Sequence, residues 1–128
     1  MGLVHHPTNP VSEKAIGAAI EVHRYLGPGL LESTYNTCLC RELELRGIPF
    51  HSRLALPIDY KGVHIAKGYV IDLLIEDSLI IELKSVDKLL PIHSSQLLTY
   101  MRLQDVASAL LMNFNVAILP HGIRRLLL

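Results

Sequence analysis

The chain has 128 residues, half of them apolar and 19% charged, with twelve lysines and arginines against twelve acids and a formal net charge of zero. A chain of this length and apolar content suits one domain, 1–128, with a core that needs no staple, and excludes a disordered protein. Balanced charge argues against an indiscriminate nucleic-acid or membrane binder, which is ordinarily basic.

No apolar run reaches the length of a membrane span. Residues 1–10 carry His5, His6, Pro7 and Pro10; they lack the basic and apolar regions of a signal peptide and read as a flexible N-terminal segment. The cysteines, Cys38 and Cys40, stand two apart, so on a helix they point in different directions and form neither a disulfide nor a metal knuckle. Reduced thiols without an export signal point to the cytoplasm.

Ser12 is placed to cap a first helix running to Leu26, with Ala15, Ile16, Ala19, Ile20 and His23 at helical spacing. Gly27-Pro28-Gly29 ends it. A second helix is predicted over 30–46, with Leu31, Tyr35, Leu39 and Leu43 in one stripe and Gly47 as its stop. The period then changes to two. Phe50, Ser52, Leu54 and Leu56 alternate with His51, Arg53 and Ala55, and Tyr60-Lys61-Gly62-Val63 reads as a hairpin turn. Further strands are predicted over 63–66, 68–75 and 79–86, the last two joined by a tight turn at Glu76-Asp77-Ser78 and apolar on both faces, as in a covered sheet. Pro91 opens a third helix to Leu103, followed by strands over 107–114 and 123–127. The order describes an α/β sandwich around one mixed sheet.

The unusual residues lie inside the most apolar strands: Asp72 in one, Glu82 and Lys84 in the next. An ionised group there is costly unless paired or metal-bound. Glu82 and Lys84, two apart, share a face, and the turn near Asp77 folds Asp72 back opposite Glu82. Two carboxylates side by side repel unless a cation lies between them or one is protonated. Oxygen ligands of this kind fit Mg²⁺ or Mn²⁺, which can polarise a phosphodiester and acidify a water, with Lys84 steering that water or steadying the developing charge. An Asp–Lys–Glu ion-pair network without metal fits these three residues equally well.

Gly29, Glu32 and Tyr35 form Gly-x-x-Glu-x-x-Tyr, with Glu32 and Tyr35 on one helix face; alone, Glu32 reads as a first-turn acid and Tyr35 as core or boundary. His93, Gln96 and Tyr100 share a face of the third helix, and each alone reads as a satisfied boundary residue. His5, His6, His23 and His93 show no ligand spacing for a transition metal.

Together these residues form a longer pattern: Ile16-Gly17-Ala18-Ala19-Ile20-Glu21-Val22-His23, Leu26-Gly27-Pro28-Gly29-Leu30-Leu31-Glu32-Ser33-Thr34-Tyr35, Asp72-Leu73-Leu74, Ile81-Glu82-Leu83-Lys84, Leu89-Leu90-Pro91-Ile92-His93, Gln96-Leu97-Leu98-Thr99-Tyr100 and Asn113-Phe114-Asn115-Val116. Over residues 12–125 the chain resembles the GxxExxY family of the PD-(D/E)xK nuclease-like superfamily. The resemblance implies a restriction-endonuclease-like core, a mixed β-sheet flanked by α-helices. It implies that Asp72 and Glu82 hold Mg²⁺ or Mn²⁺, that Lys84 is the catalytic lysine, that Glu32 is the acid supplied by the first core helix, and that Gln96 is the polar residue of the helix after the Glu-x-Lys strand. Gly29, Tyr35, His93 and Tyr100 belong to its motifs. Two positions depart from the pattern: Val70 stands where many relatives carry Arg, and Ser94 where an acid is expected.

Two functions follow. One is a metal-dependent nuclease cleaving DNA or RNA with Asp72, Glu82, Lys84, Glu32 and Gln96, and with Lys67, Lys88, Arg102, Arg124 and Arg125 as candidate phosphate contacts. Zero net charge implies weak nucleic-acid binding by the chain alone, which a homodimer would strengthen. The other is a catalytically silent nuclease-fold module for oligomerisation or a partner protein, favoured by neutral charge, small size and the apolar end Leu126-Leu127-Leu128. The paired carboxylates and lysine favour the first.

Overall fold

The computed structural model describes residues 9–128. Residues 1–8, most of the segment expected to be flexible, lie outside the described residues, whereas Asn9 and Pro10 begin the first helix. This helix, α1 (Pro10–Leu26), is capped by Asn9, whose Oδ1 accepts from the Val11 amide at 2.9 Å. Ser12, expected as the cap, is buried inside the helix and donates to the Asn9 carbonyl. Pro10 moves the start forward because its fixed φ and missing N–H suit a first helical position. Ala15, Ala18, Ala19, Val22 and His23 form the buried stripe, and Ile20, expected within it, is exposed. Helix α2 (Glu32–Leu45) starts later than predicted because Leu31 is the extended, exposed residue before it; Tyr35, Leu39 and Leu43 form its buried stripe as expected.

Five strands make one mixed sheet in the order β1 (Phe50–Tyr60), β2 (Val63–Ile75), β3 (Leu79–Lys84), β4 (Ser108–Asn113) and β5 (Ile123–Leu127). Only β3 and β4 are parallel, and helix α3 (Pro91–Gln104) connects them. Helices α1 and α2 cover one face, burying Leu73, Ile75, Ile81, Leu83, Met112 and Phe114. Helix α3 covers the other, with Leu97 and Met101 against Ile71, Ile80 and Leu111.

The sequence suggests six strands, two of them divided near Gly68, but the structure has one continuous β2 there. Gly68 is not a break. It sits beside a bulge between Leu56 and Ile58, where a Cβ at position 68 would stand 2.5–2.8 Å from the Ile58 side chain. Glu76 and Asp77 both adopt positive φ (49° and 56°), which makes the tight β2–β3 turn.

One further irregularity decides where the site lies. Strand side chains alternate between faces, yet Leu73 and Ile75 face α1 and α2 while Ile71 and Tyr69 face α3. The alternation switches at Asp72. Its neighbour β1 switches at the same level: Phe50 packs with α1 and α2, Leu54 and Leu56 with α3, and Arg53 between them has φ +51°. Arg53 and Asp72 are left unpaired where the ladder passes from Ser52–Leu73 to Leu54–Ile71.

Gly68→Ala should lower stability by about 1–3 kcal/mol, since the added methyl overlaps Ile58. Adding Ile58→Ala to that variant should return part of the loss in a denaturant-unfolding double-mutant cycle; additive losses would show that the contact is not what position 68 is small for.

Candidate active site

The β2–β3 ladder pairs Ile75 with Leu79, Leu74 with Ile80 and Leu73 with Ile81, then stops. The same register carries Asp72 directly across from Glu82. Where the backbone ladder ends, the Asp72 side chain takes over: its Oδ2 accepts from the Leu83 amide at 2.9 Å. Glu82 lies on the α3 side of β3, as Ile80 does, and is only 7% exposed. Lys84 Nζ stands 3.8 Å from Glu82 Oε2. The other oxygen, Glu82 Oε1, is the single buried side-chain N or O among the described residues that has no hydrogen-bond partner.

This surrounding disfavours a charge on Glu82. Burial is the largest cause, the negative charge of Asp72 adds to it, and Lys84 opposes it; the carboxyl is pushed up to about 8. Tyr100, on α3, feels the same pair. Burial chiefly raises its hydroxyl, and the charges of Glu82 and Asp72 raise it further. Its ring packs on Tyr69 with centroids 5.2 Å apart, and the Tyr69 hydroxyl donates to Gln104 Oε1 at 3.2 Å. A tyrosine pair therefore walls the carboxylates on the helical side.

The remaining expected residues take other places. Glu32 opens α2, the helix on the opposite face, and reaches only the end of β3: its Oε2 accepts from the Ser85 amide at 3.3 Å. Ser85 also donates its hydroxyl to the Leu30 carbonyl at 2.6 Å. Tyr35 is a strap. Its hydroxyl donates to the Gly27 carbonyl at 2.6 Å and accepts from the Leu30 amide at 3.1 Å, and its ring stacks on Phe114 at 4.5 Å. Gly29, at φ +94°, lets the chain turn between those two contacts. His93 Nδ1 accepts from the Leu90 amide at 3.0 Å and so caps α3. Gln96 is exposed on the first half of α3.

Of the three acids that the resemblance assigns to metal, the structure sets two together. No group of three or more His, Cys, Asp or Glu side chains able to hold a metal ion occurs among the described residues. Asp72 and Glu82 nonetheless fit a hard cation on their own chemistry. They are adjacent oxygen donors, and one buried carboxylate oxygen lacks any partner, which a cation would satisfy.

Three residues important to this geometry were given no role from sequence. Arg53 holds a left-handed backbone that no glycine or asparagine announces. Ser85 ties α2 to the end of β3. Asn113 is buried and bridges the chain after β3, its Oδ1 accepting from the Val86 amide and its Nδ2 donating to the Val86 carbonyl. An asparagine ending an apolar strand was the one available signal. Among the expected phosphate contacts, Arg125 is bonded to Ser12 Oγ and Arg102 to Thr99 Oγ1, while Lys67, Lys88 and Arg124 are exposed.

A family profile described as PD-(D/E)XK nuclease superfamily matches residues 9–126. No curated protein and no solved structure matches the chain. Among the described residues, no helix is long and apolar enough to cross a membrane.

The folded chain binds the Glu82 proton more tightly than the unfolded chain, where a glutamate titrates near about 4.3. Stability from this group is therefore complete below that value and is lost as pH rises towards about 8. The metal-free protein should lose on the order of 3 kcal/mol between about pH 5 and pH 7.5. Glu82→Gln should flatten that slope in denaturant titrations across the same range; a slope unchanged by the substitution would remove Glu82 as its source.

Proposed function

The chain belongs to the PD-(D/E)XK nuclease superfamily, and from that premise we propose that it is a metal-dependent nuclease, hydrolysing phosphodiesters of DNA or RNA at the Asp72–Glu82–Lys84 site. The observation that carries this reading is the Glu82 carboxylate, buried beside Asp72 with an oxygen that has no hydrogen-bond donor when the group is ionised. A sheet centre tolerates that arrangement poorly for structure alone. We also assign the chain to the GxxExxY branch on the motif residues Gly29, Glu32 and Tyr35, as one nuclease-like domain working in the cytoplasm.

Asp72 and Glu82 would hold Mg²⁺ or Mn²⁺, which when bound supplies a Lewis acid that polarises the phosphate and acidifies a water. Asp72 is fixed for this by the Leu83 amide, which leaves its other oxygen free of that bond. Lys84 is held beside Glu82 on the same face, where its ammonium orients an attacking water and steadies negative charge growing on the phosphate. Gln96, four residues before Tyr100 and so on its side of α3, contacts phosphate. Glu32 acts through Ser85, which it holds at the end of the strand that carries Lys84, and supports outer water rather than a first ligand position.

A silent interaction module, forming a homodimer or docking on a partner protein, is the second reading. The observation that favours it is the absence, among the described residues, of a third metal-ligating side chain beside the pair.

Calorimetry decides between them. The wild type should bind Mn²⁺ or Mg²⁺ and release a proton on binding below about pH 8, because Glu82 must ionise. Asp72→Ala should abolish that heat, and Lys84→Ala should keep it while losing phosphodiester cleavage by at least a hundredfold. No metal heat in the wild type, with or without an oligonucleotide present, would sink the nuclease reading in favour of the interaction module.

A further inference from the structure

Beyond the face switch, β1 and β2 run on as a hairpin arm in which only alternate residues of β1 and the root of β2 touch the core. Arg53, Tyr60, Lys61, His64 and Lys67 are all exposed on it. Residues 53–70 contain three cations, Arg53, Lys61 and Lys67, against one acid, Asp59, leaving nine of the twelve cations and eleven of the twelve acids for the rest of the chain. In a protein of zero net charge the arm thus carries a net +2, as does the acid-free stretch 106–128 through Arg124 and Arg125. The single acid is already engaged, with Asp59 Oδ1 2.6 Å from His64 Nδ1. Arg53 and Lys67 have no carboxylate partner among the described residues. At the tip, Lys61 Nζ lies 5.3 Å from the centre of the exposed Tyr60 ring, a cation beside an aromatic face.

The arm also starts at the site. Arg53 lies across from Asp72 in the gap between the pairs Ser52–Leu73 and Leu54–Ile71, and it holds φ +51°, a conformation that costs an arginine and would suit a glycine. From Arg53 to Lys61 a strand covers about 26 Å at 3.3 Å per residue, the axial length of about eight base pairs at 3.4 Å each. We propose that this arm is the phosphate-binding surface of the protein. Arg53 takes the phosphate nearest the carboxylates, and Lys67 and the Lys61–Tyr60 tip hold the nucleic-acid backbone farther out. The proposal rests on the nuclease reading of Asp72 and Glu82.

The test is fluorescence anisotropy of labelled 20-nucleotide DNA and RNA, single-stranded and duplex, with the full chain in Ca²⁺ at several salt concentrations. The wild type should bind at low salt. Lys61→Gln and Lys67→Gln should each reduce the slope of log affinity against log salt by about 1. Arg53→Gly should weaken binding severalfold while its melting temperature stays level or rises, since glycine takes the left-handed backbone without strain. Loss of affinity with retained stability is a result that a structural role for Arg53 does not produce. A folded triple variant, Arg53→Gly with Lys61→Gln and Lys67→Gln, that binds with wild-type affinity and salt slope overturns the arm; metal binding and cleavage by that variant would show that the carboxylate site still stands. Failure of the wild type to bind any of the four probes overturns the arm as well, and the calorimetric metal titration then reports separately on the carboxylates. Equal displacement of the probe by polyglutamate would also overturn it, in favour of an acidic polypeptide as the occupant.

Discussion

A carboxylate can be buried in the middle of a sheet only if something offsets its lost hydration, and Glu82 has too little to do so. It is 7% exposed, its nearest charged neighbours are one lysine 3.8 Å away and a second carboxylate, and one of its oxygens has no partner. The rest of the structure can be understood around that deficit. The residue is kept neutral by burial and by Asp72 up to about pH 8, so under the proposed function a cation bound there would displace a proton. Replacing the pair with apolar residues would suit the sheet better, which is the physical ground for the function proposed for it.

The pair exists because β2 does not run straight through. At Asp72 the strand exchanges its faces, and β1 makes the matching exchange at Arg53. Without the exchange, Asp72 would continue the ladder to β3 as a regular strand residue. With it, the ladder stops at Leu73 and Ile81, and the Asp72 side chain becomes the partner of the Leu83 amide. The same exchange makes Leu73 and Ile75 core residues under α1 and α2, while Ile71 and Tyr69 serve the α3 side. One irregularity therefore divides the two cores, opens the site and begins the exposed arm.

Around this centre the motif residues act mostly as braces. Tyr35 holds the Gly27–Leu30 turn against Phe114. His23 Nε2, 3.1 and 2.9 Å from the Phe114 and Val116 carbonyls, faces two acceptors and so carries the proton that joins α1 to the chain after β4. Asn113 holds the segment that follows β3. These contacts fix the ends of β3 and β4, and with them Lys84, whose carbonyl accepts from the Phe114 amide at 2.8 Å.

Periodicity and punctuation were enough to find the helices and most strand limits, because each is a local matter of spacing, glycine and proline. They also placed Asp72 opposite Glu82 to within a residue, since the short turn Glu76-Asp77-Ser78 restricts the register from the sequence alone. They misread Gly68 as a break and Ser12 as a cap, because a close approach by Ile58 and a better cap at Asn9 depend on what surrounds them. What the tertiary structure alone decided is which polar groups are left over. Glu32 and Tyr35 share a helix turn, yet packing gives one to Ser85 and the other to Gly27. The face exchange at Arg53 and Asp72 has no local signal either, since a left-handed arginine is imposed by two sheets of contacts on opposite sides and not by its own propensity. Residue types and their spacing specify the chemistry that is available; only the packed chain determines which oxygen remains without a partner.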